Sequence, residues 1–227
     1  MTARLQMKAL VEHAGRVALG LGLLVAGRHH AVLALIGALA LHLAAFAFTH
    51  DLVHGALGLP RRLNELAISV TSLPMLVAGH GMRLLHLRHH AHPLEEHDVE
   101  GVGATLPMWR ALVGGPLNAA QYRIEAFRAA SRTDQGWLIG ETLAAVALTT
   151  LALLSRSVIG AAWVLVNVAM QLTAAVWASH LTHRPPRIFL AIARTLEWTH
   201  SAVISSFLHH EKHHRFPAIP CGQLRLQ

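Results

Sequence analysis

The 227-residue chain has one cysteine, one tyrosine and only two lysines, Lys8 and Lys212. Charged side chains make up 14% of it, against about 25% in an average soluble domain. Each shortage closes a route. A single thiol, Cys221, excludes an internal disulfide framework and a cysteine-built zinc site. With so little charge and 53% hydrophobic residues, the composition argues against a soluble globular protein and against disorder. A basic run is missing as well. The formal charge of +7 comes from arginines spread through the chain, so no segment tracks phosphates and no nucleic-acid partner is expected. The arginine and alanine bias points instead to a GC-rich, bacterial genome.

What the chain does have is apolar length. Residues 31–49 carry no formal charge and one histidine, His42, and residues 157–179 carry no charge at all. Residues 137–155 hold only Glu141, one turn from their start, where a carboxylate can reach the interface. About 20 apolar residues cross a bilayer core, so all three qualify as spans. Residues 10–27, with Glu12, His13 and Arg16 early, make a weaker fourth span. Their basic start also fits a signal peptide, although no small-residue cleavage site stands out. Residues 66–79 are apolar but short and broken by Pro74, which suits an interfacial or protein-buried segment.

Tight turns at Arg28-His29-His30 and Ser155-Arg156-Ser157 would join the spans into two hairpins. With both turns on one side, that side holds Arg28 and Arg156, and the other seventeen of the 19 basic residues face the opposite side. Positive charge stays inside, so the N-terminus and segments 50–136 and 180–227 are expected in the cytoplasm. Trp109, Tyr122 and Phe127, with arginines around them, suit an interfacial helix. The expected fold is all-α: an integral membrane protein of one domain over residues 1–227, with four transmembrane helices in two hairpins and a cytoplasmic helical cap. The expected location is a bacterial cytoplasmic membrane.

Histidine is the excess, with 19 copies against 12 acidic residues. His50 and His54 form an HxxxH, His86, His89 and His90 an HxxHH, and His210, His213 and His214 a second HxxHH. Positions three and four apart share a helix face, so each cluster has metal-ligand spacing. At this histidine frequency chance supplies an HxxHH roughly 0.1 times per chain. Two copies on one membrane face are poorly explained by chance. Neutral imidazole suits zinc, copper, iron and nickel. A catalytic zinc takes three protein ligands, so these histidines are too many for one ion and fit two with room for an exchangeable ligand. Neutral ligands also cost less than carboxylates near hydrocarbon. The carboxylate-rich di-iron bundle of soluble proteins is not what this chain offers.

At these residues the sequence resembles the membrane fatty acid desaturase superfamily, whose members carry an HxxxH or HxxxxH box followed by two HxxHH boxes. The tail His210-Glu-Lys-His213-His214-Arg-Phe-Pro217-Ala-Ile-Pro220 is similar to that family's HxxHHxFPxxP ending. The segment His86-Leu-Arg-His89-His90-Ala-His92, followed by Asp98 and Glu100, is similar to its middle box. The matching blocks cover residues 46–101 and 177–220. The resemblance implies four spans, a non-haem centre of two iron ions held by the box histidines, and O2 as co-substrate. It also implies one further ligand near the end of the fourth span, for which His180 is the better match and His183 the competitor. Val176 stands where some members have an asparagine. With no cytochrome domain fused, a separate electron donor such as ferredoxin is implied.

The resemblance implies a lipid substrate, a fatty acyl chain to be desaturated. His50-Asp51-Leu-Val-His54-Gly55 and His183-Arg184-Pro185 are also similar to the carotenoid ketolase and hydroxylase branch, which leaves a carotenoid as the alternative. Asp51, Asp98, Glu100 and Glu211 are candidates to orient imidazoles by accepting their N–H, and equally candidates for solvated acids or caps. His42, two helical turns before His50, and Trp177 are candidates to line a substrate channel or simply to pack between helices. Trp163 and Trp198 raise the same alternatives. His13, His29 and His30 read as interfacial. His80, His97 and His200 have no role, and His92 and His209 lie near enough to boxes for the outer shell.

Two other classes remain. Residues 210–214 also satisfy HExxH, the zinc metalloprotease motif with Glu211 as base, but Phe216 and Pro217 cut the helix short and two boxes go unused. A non-enzymatic membrane protein handling metal or haem would use the histidines too, yet the spans hold few polar residues to form a path.

Overall fold

Two long helices, α1 (Ala3–Ala26) and α2 (Ala31–Val53), form an antiparallel hairpin across a single 3-10 turn at Gly27–His29. The computed structural model describes residues 2–199 and 201–226, all helix, turn or loop, with no strand among them; His200 lies outside the described residues. The hairpin closes because small residues face each other along it. A Cβ on Gly20 would sit 2.6 Å from the Leu41 backbone nitrogen, and Gly27 and Gly37 meet the backbone of Ala34 and Leu24 just as tightly. In a bilayer, where lipid is as apolar as leucine, such backbone approach and its van der Waals contact hold helices together.

After the hairpin come α3 (Arg61–Ser72), a 3-10 turn at Leu73–Met75, and α4 (Gly79–Ala91). Leu76 adopts φ 56° between them, so the chain reverses there. Pro74 and Met75 pack against the fourth span, which supplies donors for the carbonyls left free by the break. Trp163 Nε1 donates to Pro74 O at 2.8 Å, Asn167 Nδ2 to the same oxygen at 3.1 Å, and Gln171 Nε2 to Met75 O at 3.0 Å. Irregular backbone at membrane depth survives only with such partners.

Short helices α5 (Val102–Thr105) and α6 (Met108–Val113) lead to α7 (Gly115–Ala129) and then to α8 (Arg132–Leu154). Ser131 caps α8 by accepting the Asp134 N–H at 3.2 Å. A tight turn containing Arg156 joins α8 to α9 (Val158–Leu172), which continues as a π-helical turn at Ala175–His180 and a last turn, α10 (Leu181–His183). α1, α2 and α8 are long and apolar enough to cross a membrane, and α9 with its continuation, bent by 52°, makes a fourth when the bent pair is taken as one span. The span expected over 157–179 corresponds to this bent pair. Gly103 and Gly115 press against Ala175 O and Leu172 O, so α5 and α7 wedge directly onto the bend. The tail folds as α11 (Arg187–Thr195), α12 (Ala202–Leu208), α13 (His210–Arg215) and a 3-10 segment at Cys221–Leu226.

A polar junction ties α3, α4 and α8. His80 is fully buried, with Nδ1 2.6 Å from Glu141 and Nε2 2.8 Å from Glu65, and its ring stacks on Trp137 at 4.5 Å. Arg83, one turn on, joins Glu65 to Asp134. Glu141 therefore does not reach the interface: it is buried and also accepts from Ser69.

Candidate metal centre

Helix ends from distant parts of the chain meet at one place. The C-terminal turn of α2 supplies His50 and His54, α4 supplies His86, His89 and His90, α10 supplies His183, and α13 supplies His210, His213 and His214. They sort into two groups, His50, His54, His86 and His213, and His89, His183, His210 and His214, each with ligand atoms within 4.8 Å of one another. His90 lies between the groups, with Nε2 3.0 Å from His213 Nε2 and its ring stacked on His214 at 4.2 Å.

The separations suit metal ions. Nε2 to Nε2 distances are 2.9 Å for His54 and His86, and 3.1 Å for His89 and His183, His183 and His210, and His210 and His214. Imidazoles bound at about 2.1 Å around one ion, at octahedral or tetrahedral angles, stand roughly 3.0–3.4 Å apart. Orientation agrees. His86 Nδ1 donates to Glu100, and His89 Nδ1 donates to Asp98 at 2.6 Å, which leaves each Nε2 lone pair facing inward. Asp98 is itself held by the N–H groups of Leu94 at 2.8 Å and Gly101 at 2.9 Å, and the Tyr122 hydroxyl donates to Glu100 at 3.3 Å.

Electrostatics favour the neutral form, which ligation requires, at His54, His86, His90, His210, His213 and His214. Burial, then repulsion among neighbouring imidazoles, pushes His54, His86, His210 and His213 far down, His90 to about 2 and His214 to about 4. For Asp98 burial works against ionisation, but the His89 bond and the Gly101 and Leu94 N–H groups bring it down to about 2. His89 moves the other way: burial disfavours its charge, yet Asp98 and Glu100 raise it. Burial raises the Glu100 carboxyl.

Several expectations change. His180 stays out of both groups, giving Nδ1–H to Gly103 O at 3.1 Å, and His183 takes the place expected of it. The π turn at Ala175–His180 inserts an extra residue and rotates the helix end beyond it, which brings His183 inward. Glu211 orients no imidazole: it is 82% exposed and paired with Arg215 at 2.6 Å, so the HExxH reading loses its base. Asp51 lies 3.5 Å from His50 Nδ1, but its closer partners are His13 Nε2 at 2.8 Å and the Cys221 N–H at 3.1 Å. His13, read as interfacial, is 2% exposed.

The remaining candidates divide. His42 Nδ1 faces Asn167 Oδ1 at 2.7 Å, and Trp177 donates to Met170 O at 2.8 Å. Phe46 touches Trp177 at 4.9 Å and His50 at 6.0 Å, so an aromatic line runs from the histidines down α2. His92 is exposed beside Glu95, and His209 bonds Glu197 at 3.1 Å; neither reaches a group. Sequence reasoning missed His13, His80 and Cys221. Each pairs across many residues, and no local spacing signals that.

A family model described as fatty acid desaturase matches residues 28–227. No curated protein and no solved structure matches the chain.

Proposed function

The chain belongs to the fatty acid desaturase family, and on that premise we propose that it is a membrane-bound, O2-dependent di-iron oxidoreductase acting on a lipid, with a fatty acyl chain as substrate. The observation that carries this reading is the pair of four-histidine groups with His90 between them, built from helix ends on one side of the spans. His50, His54, His86 and His213 would hold one ion, and His89, His183, His210 and His214 the other. Bound iron would supply O2 activation and hydrogen removal from an unactivated carbon.

The rest falls to the protein. Asp98 and Glu100 hold the Nδ1 protons of His89 and His86, which keeps both rings turned inward. Phe46, Trp177 and His42 follow α2 from His50 into the apolar spans, which supports a channel for an extended chain there. The distribution of basic residues supports a cytoplasmic location for the histidines in a bacterial membrane, with electrons from a separate carrier such as ferredoxin. One observation favours a second reading. His183, the first residue of the His183-Arg184-Pro185 motif that resembles the carotenoid branch, sits inside the second group. Oxidation of a carotenoid is therefore the alternative.

Expression in hosts supplied with ordinary lipids or with carotenoids, followed by mass spectrometry, separates the two. Loss of a hydrogen pair from acyl chains supports desaturation, and oxygen added to a carotenoid ring supports the alternative. Unchanged pools, or identical products from His213→Ala, would refute both.

A further inference from the structure

His50 differs from its neighbours in what stands behind it. His86 and His89 each give Nδ1–H to a carboxylate. His50 Nδ1 instead lies 3.4 Å from Cys221 Sγ and 3.5 Å from Asp51 Oδ1. Asp51 is already engaged, because its oxygens accept from His13 Nε2 at 2.8 Å and from the Cys221 N–H at 3.1 and 3.2 Å.

The sulfur is held firmly. Cys221 is 1% exposed and clusters with Ala47, Ala202 and Leu224. Two residues on, Gln223 donates to Leu5 O at 2.9 Å, which ties the tail to α1. The single thiol of the chain is thus delivered by the C-terminal segment to the outer nitrogen of a histidine on α2.

We propose that Cys221 is a positioning residue for His50. Its sulfur accepts the Nδ1–H, selecting the tautomer whose Nε2 lone pair faces the first histidine group. Sulfur is a weak acceptor, whereas carboxylates behind imidazoles raise their basicity. His50 is therefore the weaker donor, and the effect falls on the His50, His54, His86 and His213 position alone. The inference rests on the reading of that group as a metal site.

Mössbauer spectra of the full chain loaded with enriched iron test it. The wild type should give separate signals from the two positions. Cys221→Ala removes the acceptor and should displace one signal only. Cys221→Ser supplies a stronger acceptor and should displace the same signal in the opposite direction, a sign reversal that loss of packing would not produce. Both signals unchanged in Cys221→Ala, both displaced alike, or both variants moving the same way would overturn the proposal. If the alanine variant does not fold, the serine variant decides alone: one displaced signal supports the proposal and none overturns it. A wild type that binds no iron refutes the metal reading and this inference with it, whereas iron bound with Cys221-insensitive signals refutes only the inference.

Discussion

His183 Nε2 lies 3.1 Å from His89 Nε2, whereas His180, one helical turn earlier, gives its Nδ1–H to the Gly103 carbonyl. Only one of the two faces the second histidine group. His183→Ala should therefore lower bound iron by about half and abolish turnover, since one site of the pair loses a ligand. His180→Ala should retain nearly all of its iron. Metal analysis of the two purified variants checks the contrast, and the reverse order would return the ligand to His180.

Stability without metal should fall as the medium is acidified. An ordinary histidine titrates near 6.5, whereas His214 is held near 4 and His90 near 2. Below about pH 6.5 the unfolded chain takes up protons that these native imidazoles refuse, so stability falls as pH drops toward about 4. Asp98, held near 2, adds a further loss below the usual carboxylate range. His89 and Glu100, both raised, act in the opposite sense. Thermal unfolding of chelator-stripped protein from about pH 7 to pH 5 should show a falling midpoint. A flat or rising profile would contradict this balance.

The His80 junction should matter for folding without touching a metal ligand. His80→Ala would leave Glu141 and Glu65 facing a void in the contact between α3, α4 and α8. Leaving a buried hydrogen-bonding group without its partner costs roughly 1–3 kcal/mol. A large drop in the unfolding midpoint in detergent is expected, and an unaffected midpoint would mean that the junction is idle.

Gly103 should behave as a site residue although it carries no side chain. A Cβ there would collide with Ala175 O at the bend of the fourth span, from which His183 is reached. Gly103→Ala should weaken iron retention. Gly140→Ala, on α8 with open space around its Cβ position, should be neutral or stabilising by about 1 kcal/mol. Equal iron content in the two variants would show that the wedge does not hold the bend.

Apolar runs and histidine spacing were legible because both are local properties. A span is a property of consecutive residues, and HxxHH places three imidazoles on one face by helix geometry alone. The eight box histidines could be read in this way, whereas Asp98 and Glu100 were two of four acidic candidates equally open to solvated or capping roles. Tertiary structure decided the rest, because the partners are far apart in the chain. His13 meets Asp51 over 38 residues, His80 meets Glu141 over 61, and Cys221 meets Asp51 over 170. His183, and not His180, lies in the second histidine group, beyond a π turn packed against Gly103. Helical periodicity assumes an unbroken turn, so it could count residues to both histidines but could not tell which one faces the site.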